Sequence, residues 1–223
     1  MSTTRLRAEV ADAARTLAEA GLLIGTAGNV SARDAATGLV AVTATGAVLG
    51  RCTPDQVTVV GAGGEVVEGH LVPTSELELH LAVLSSGPGA VVHTHAPAAT
   101  AIACVREELP VIHYQQLALG GAIRVAPYAT FGSSELATGV LAALEGRSGA
   151  LMANHGAVTH GNDVAAAVEN ALLLEWCSRL FLDAAGLGEP RVLDEAQQLA
   201  VIEAAIARRY GATQNLTPSE ENR

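Results

Sequence analysis

Two histidines at i and i+2 close an apolar, β-branched run, Val91-Val92-His93-Thr94-His95. In an extended strand that spacing turns both imidazoles to the same face. A strand end of this kind offers two neutral nitrogens to one cation without contorting the backbone. Catalytic zinc centres use three protein ligands and keep one position open, so a third histidine has to come from elsewhere. Leu151-Met152-Ala153-Asn154-His155-Gly156 reads as a second apolar strand ending in a histidine.

With 223 residues the chain fits one domain with a substantial core. Hydrophobic residues make up 49%, largely alanine and valine, but no run of about 18 apolar residues escapes an interrupting charge. A transmembrane helix is therefore not expected. The N-terminus leads into a polar-faced helix carrying Glu9, Asp12 and Arg15, unlike a secretory signal. A net charge of -10 argues against nucleic acid and anionic membranes as partners. A phosphorylated small molecule is compatible with it, because backbone amides and a metal make a site locally electropositive. Cys52, Cys104 and Cys177 are odd in number, scattered and in mostly apolar surroundings, so they read as buried thiols of a reducing compartment. The expectation is a cytoplasmic protein with one domain over residues 1–211 and a polar, mobile tail over 212–223.

Leu6, Val10, Ala13, Ala14 and Leu17 recur at helical spacing, with an N-cap among residues 2–4 and a stop at Gly21. Gly25-Thr26-Ala27-Gly28-Asn29 is either an ordinary turn or a mouth where backbone amides approach a ligand closely. Residues 30–33 and 39–43 form a hairpin, and 57–60 with 65–68 form another. Thr53-Pro54-Asp55-Gln56 reads as a capped short helix. Pro73-Thr74-Ser75-Glu76 opens a helix with Glu76 in its first turn; capping alone explains those residues, but such an N-terminus also suits an anion. His80, one turn on, reads as a packed helix residue. Further helices are expected over 97–105, from Ser133 or Ser134 to Leu144, from Asp163 to about Ala184, and over about 194–209. Strands are expected over 123–125 and 150–153. Hairpins interleaved with helices suggest an α/β protein of three layers, a central mixed, largely antiparallel sheet with helices on both faces.

The ordered set Gly25-Thr26-Ala27-Gly28-Asn29-Val30-Ser31, Thr43-Ala44-Thr45-Gly46, Pro73-Thr74-Ser75-Glu76, His93-Thr94-His95, Ile112-His113-Tyr114, Pro127 to Gly132 and Asn154-His155-Gly156 resembles the class II aldolase/adducin family. The resemblance implies a largely antiparallel sheet between helical layers and a fourfold homotetramer with sites between subunits. It implies one Zn²⁺ per subunit on His93, His95 and His155, with Glu76 completing the resting coordination and then acting as base. It places the substrate phosphate on Asn29, Thr45, Gly46, Thr74 and Ser75, with Thr26 and Gly28 shaping the loop. Tyr114 of a neighbouring subunit would be the acid near the aldehyde oxygen, and Tyr210 is a further candidate. Thr45 and Thr74 stand where many members have serine, which keeps the hydroxyl and adds a methyl.

The implied reaction cleaves a ketose 1-phosphate similar to L-fuculose 1-phosphate into dihydroxyacetone phosphate and a short aldehyde such as lactaldehyde. Zinc would act as the Lewis acid, a carboxylate and a phenol would move protons, and the phosphate would provide positioning energy. Other reactions on such a scaffold are dehydration of methylthioribulose 1-phosphate, decarboxylation of a sugar-acid phosphate, and phosphopentulose 4-epimerisation. Glu76 speaks against the last, whose enzymes resemble an aspartate there. Retention of all three histidines with Glu76 speaks against a non-catalytic, adducin-like module.

Overall fold

The 3.6-residue spacing of Leu6, Val10, Ala13, Ala14 and Leu17 folds as α1 (Thr3–Glu19), with those side chains buried. The computed structural model describes residues 3–213; most of the tail expected over 212–223, like Ser2 of the first cap, lies outside them. β1 (Asn29–Arg33) and β2 (Val40–Thr43) form the first hairpin, and β3 (Val57–Val60) and β4 (Val66–Glu68) the second. There follow α2 (Leu77–Ser85), β5 (Ala90–Thr94), α3 (Pro97–Ala103), β6 (Glu108–Leu109) and β7 (Ile123–Ala126). The chain continues through α4 (Ser134–Leu144), β8 (Gly149–Met152), β9 (Gly156–Gly161), α5 (Val164–Leu187) and α6 (Glu195–Arg208).

The strands make one mixed sheet in the order β4-β3-β2-β1-β5-β9-β8-β7-β6. Every neighbouring pair is antiparallel except β7 with β8. Successive strand residues face opposite sides, so the sheet feeds two cores. Val30, Ala90, Val92 and Leu151 pack with Leu6, Val10 and Leu17 of α1, Ile102 of α3, and Leu174 and Phe181 of α5. Val60, Val91, Met152 and Val158 pack on the other face with Leu79 and Val83 of α2 and Leu136 and Val140 of α4. Each fully buried leucine stabilises the fold by about 1.5–3 kcal/mol. The central, largely antiparallel sheet with helices on both faces is as the sequence suggests.

The sheet holds two more strands than the sequence pattern suggests, β9 and the two-residue β6. The pattern ends an isolated strand at Ala153, whereas β8 turns at once through Ala153-Asn154-His155 into β9, which pairs with both β8 and β5. Asn154 adopts a left-handed conformation (φ 55°) in this three-residue turn, a conformation asparagine tolerates better than most residues. Two 3-10 helices, over Leu49–Arg51 and Tyr114–Leu119, also escape the pattern. Glu76 is the N-cap of α2, just ahead of its first turn. Cys52 and Cys177 are buried as expected, but Cys104, at the exposed C-cap of α3, is not.

At Gly156 a Cβ would collide with the Thr94 carbonyl oxygen and lie 3.3 Å from Cε1 of His93. The neighbour is backbone of a central strand, so relief requires prising β9 from β5. Gly156→Ala is expected to cost roughly 2–4 kcal/mol, at the severe end for one substitution, and to loosen metal binding with it. Chemical denaturation and metal content check this; a variant as stable as the parent would contradict the close approach.

Candidate active site

Three chain segments meet at one end of the central strands. Asn29 lies opposite His93 across β1 and β5, and His93 lies opposite Val158 across β5 and β9. The β8–β9 turn therefore delivers His155 beside His93. His95 follows the end of β5, where the Glu175 carboxylate of α5 accepts hydrogen bonds from the Ala98 and Ala99 amides and pins the start of α3. The three rings sit 4.8, 4.9 and 5.1 Å apart, centroid to centroid.

His93 is fully buried, and its Nδ1 donates to the Ala157 carbonyl at 3.0 Å. That bond assigns the tautomer and leaves the Nε2 lone pair facing His95 Nε2 at 3.0 Å and Glu76 Oε2 at 3.2 Å. Glu76 Oε1 lies 3.6 Å from His155 Nε2 and has no hydrogen-bond donor among the described residues. Buried acceptors converging in this way repel one another unless positive charge stands among them. One ligand atom from each of the three histidines falls within 4.8 Å of the others. The donor set fits a divalent cation.

Burial by itself would raise the Glu76 carboxyl, but positive charge at the histidine centre, a proton on His93 Nε2 or a cation in its place, together with the Asn29 amide, outweighs it and holds Glu76 below the ordinary glutamate range. Burial, reinforced by the neighbouring histidines, pushes His95 down to about 4 and lowers His155. Burial likewise brings His80 down to about 3 and lowers His160. All four histidines bind protons less readily folded than unfolded, so the unfolded chain takes up protons first as pH falls. Stability of the metal-free protein should then be full above about pH 6.5 and decline through the window toward 4 and 3. A loss of several kcal/mol, about 5 at most from His80 and His95 together, is expected between about pH 7 and 4.5, measured by chemical denaturation. Equal stability at the two pH values would contradict these buried neutral imidazoles.

A cleft of about 450 Å³ opens beside the histidines. Thr26, Gly28 and Asn29 enter it from the mouth of β1, Thr45 and Gly46 from the end of β2, and Thr74 and Ser75 from the approach to α2. These segments are laced together. Thr74 N donates to the Thr43 carbonyl and Thr45 N to the Val72 carbonyl, both at 3.0 Å. Gly28 has φ +95°, and a Cβ there would lie 3.0 Å from the His93 carbonyl oxygen, so only glycine brings this loop against the end of β5. Asn29 Nδ2 donates to Thr74 Oγ1 at 3.0 Å and to Glu76 Oε2 at 2.9 Å, which joins the hydroxyl-lined cleft to the carboxylate.

His95, His155, Glu76 and all seven of the expected phosphate residues line or adjoin this one cleft, with His93 buried behind. Tyr114 does not line it. That phenol is 41% exposed, 3.3 Å from the Tyr210 hydroxyl, and stacked on His113, which meets Trp176 edge-on. Its hydrogen bond with Tyr210 raises the Tyr114 phenol above its ordinary range. Asn154, Tyr128 and Phe131 also line the cleft, and nothing in the sequence pattern assigned them a role. The left-handed asparagine of an Asn-His-Gly turn was a signal for the first. The two aromatics sit in the 127–132 loop, where no periodicity reveals a direction.

The profile of the family described as Class II Aldolase and Adducin N-terminal domain matches residues 8–182. A protein of Rhodospirillum rubrum named 5-methylthioribulose-1-phosphate/5-deoxyribulose-1-phosphate aldolase is 38% identical over 205 residues, 91% of each chain. A 5-deoxy-D-ribulose 1-phosphate aldolase of Bacillus thuringiensis serovar kurstaki is 35% identical over 198 residues, 87% of this chain and 93% of the relative. A solved structure of an L-fuculose 1-phosphate aldolase superposes with a TM-score of 0.86 at 33% identity, covering 92% of this chain and 97% of that one.

Proposed function

The chain belongs to the class II aldolase and adducin N-terminal domain family, and from that premise we propose that it is a zinc aldolase splitting a ketose 1-phosphate into dihydroxyacetone phosphate and a short aldehyde. The observation that carries this reading is the convergence of His93, His95, His155 and the partnerless Glu76 Oε1 beside a cleft of hydroxyls and glycines. Three neutral imidazoles would hold the zinc, one ion per subunit, and leave its charge undiminished, as thiolates would not. The ion would supply Lewis-acid polarisation of the ketose carbonyl.

Thr26, Gly28, Asn29, Thr45, Gly46, Thr74 and Ser75 hold the phosphate in this reading, through hydroxyls and closely approaching backbone. That grip is remote from the reacting bond and supplies orientation independent of the aldehyde end. Cleavage breaks the C3–C4 bond and leaves its electron pair on the three-carbon fragment. The C4 hydroxyl gives up its proton as C4 becomes the aldehyde carbon. Glu76, within reach of the same centre, carries the proton to C3. Tyr114 handles the proton on the aldehyde oxygen, and its exposure outside its own chain's cleft supports service to a neighbouring copy. A fourfold homotetramer with sites between subunits accommodates that service. A phosphorylated substrate and the free cysteines support a cytoplasmic place of action.

The names of the relatives frame the substrate class. Breaking C3–C4 of a 5-deoxypentulose 1-phosphate releases a two-carbon aldehyde, and of a 6-deoxyhexulose 1-phosphate a three-carbon one. Tyr128, Ala129 and Phe131 give the cleft an uncharged wall, which supports an aldehyde of either length ending in a methyl. Incubation with a panel of ketose 1-phosphates, measuring dihydroxyacetone phosphate and aldehyde separately, tests the reading. Equimolar release of both is expected. Consumption of substrate without aldehyde would replace cleavage by dehydration or decarboxylation.

A further inference from the structure

β1 carries two polar residues, Asn29 and Ser31, on the face that meets α2, and both are buried. A polar pair in that position destabilises a core unless each group is bonded. The covering residue is His80 of α2, itself fully buried. Its Nδ1 lies 2.6 Å from Ser31 Oγ, and its Nε2 bonds Asn29 Oδ1. His80 is not among the three clustered histidines, and it does not itself line the cleft.

The directions of these bonds form a chain of consequences. An amide oxygen can only accept, so the His80 proton must sit on Nε2, and Nδ1 must accept from the Ser31 hydroxyl. With Oδ1 so engaged, Asn29 presents its Nδ2 hydrogens to Thr74 Oγ1 and Glu76 Oε2. Thr74 Oγ1 also receives the Glu76 backbone amide at 3.3 Å. An oxygen accepting from two N–H donors keeps its own hydrogen to point into the cleft it lines. With the opposite tautomer, His80 Nε2 would accept instead and favour the flipped amide. Asn29 Oδ1 would then face the Glu76 carboxylate and capture the Thr74 hydrogen.

We infer that His80 is a positioning residue, which through Asn29 directs the Thr74 hydroxyl hydrogen toward the substrate phosphate and steadies Glu76. The inference rests on the phosphate and proton roles proposed above, but the ring and amide states it requires belong to the protein itself. The ring's two hydrogen bonds, one received from Ser31 and one given to Asn29, are those of a neutral imidazole with one donor and one acceptor nitrogen.

Nitrogen NMR of the intact, metal-loaded protein reads the ring directly: the His80 proton is expected on Nε2, and a proton on Nδ1 would overturn the inference whatever the variants do. The Asn29 side-chain amide is expected to exchange slowly in the parent protein and fast in His80→Leu. Affinity for inorganic phosphate, measured by calorimetry, should fall about tenfold. KM for the ketose 1-phosphate should rise with it, while the metal content stays at the parent's value. His80→Gln, which restores an N–H toward Asn29, should recover both the amide protection and the phosphate affinity; a purely space-filling role predicts no better recovery with glutamine than with leucine. Unchanged amide exchange and phosphate affinity in His80→Leu would overturn the positioning role. If the parent protein binds no inorganic phosphate, the phosphate reading fails, and the ring tautomer and Asn29 amide then decide the positioning role alone.

Discussion

His155→Ala is expected to yield a folded protein that no longer retains a divalent ion and cleaves ketose 1-phosphate at least about 10³-fold more slowly. His155 stands in the turn between β8 and β9, partly exposed, and the ladder from Gly156 to Gly161 does not depend on its ring. Circular dichroism and the denaturation midpoint should therefore change little. The loss falls on the centre, where two imidazoles and a carboxylate would replace three and one. Lewis-acid assistance contributes several kcal/mol to such reactions, and each step of about 1.4 kcal/mol is tenfold in rate. A His155→Ala protein with one ion per chain and full activity would sink the three-histidine assignment.

Glu76→Gln and Tyr114→Phe should each cost about 10²-fold or more in cleavage, the usual range for a missing acid or base, but they should part company in a simpler reaction. Exchange of the dihydroxyacetone phosphate proton with solvent needs the metal centre and the carboxylate, and involves no aldehyde oxygen. Tyr114→Phe should retain that exchange, and Glu76→Gln should lose it. Glutamine fits the same space, and its amide cannot shuttle a proton as the carboxylate does. Mixed oligomers of Tyr114→Phe and His93→Ala chains should regain activity, because some clefts then combine an intact centre with a neighbour's intact phenol. Loss of exchange in Tyr114→Phe would contradict the division of labour. No recovery in verified mixed oligomers would place the phenol's partner within one chain.

Much of this architecture is legible in the chain because its signals are local. The i, i+2 histidines, the helical spacing of Leu6 to Leu17, and Asp163 as the cap of a long helix each act within a few residues. The miss at β9 has a physical origin. Gly156-Ala157-Val158-Thr159-His160-Gly161 is short, bounded by glycines and without alternation, because it is buried on both faces between β5 and β8. The consequence reaches the site, since it is β9 that seats His155 beside His93. His80 escapes for a different reason. A histidine at i+4 from Glu76 looks like packing, and packing it is; its hold on Asn29 depends on β1 lying under α2, a contact 51 residues apart in the chain. Tyr114 is the converse, conspicuous in the motif and absent from the lining of its own chain's cleft.

The most direct test of the account is a zinc titration of the chelated protein, following bound metal and dihydroxyacetone phosphate formation together on a turned-over ketose 1-phosphate. Both signals should be absent at the start, rise in parallel and saturate at one ion per chain. Cleavage that persists undiminished in the fully chelated protein, or a metal that binds without restoring it, would contradict a centre built from His93, His95, His155 and Glu76.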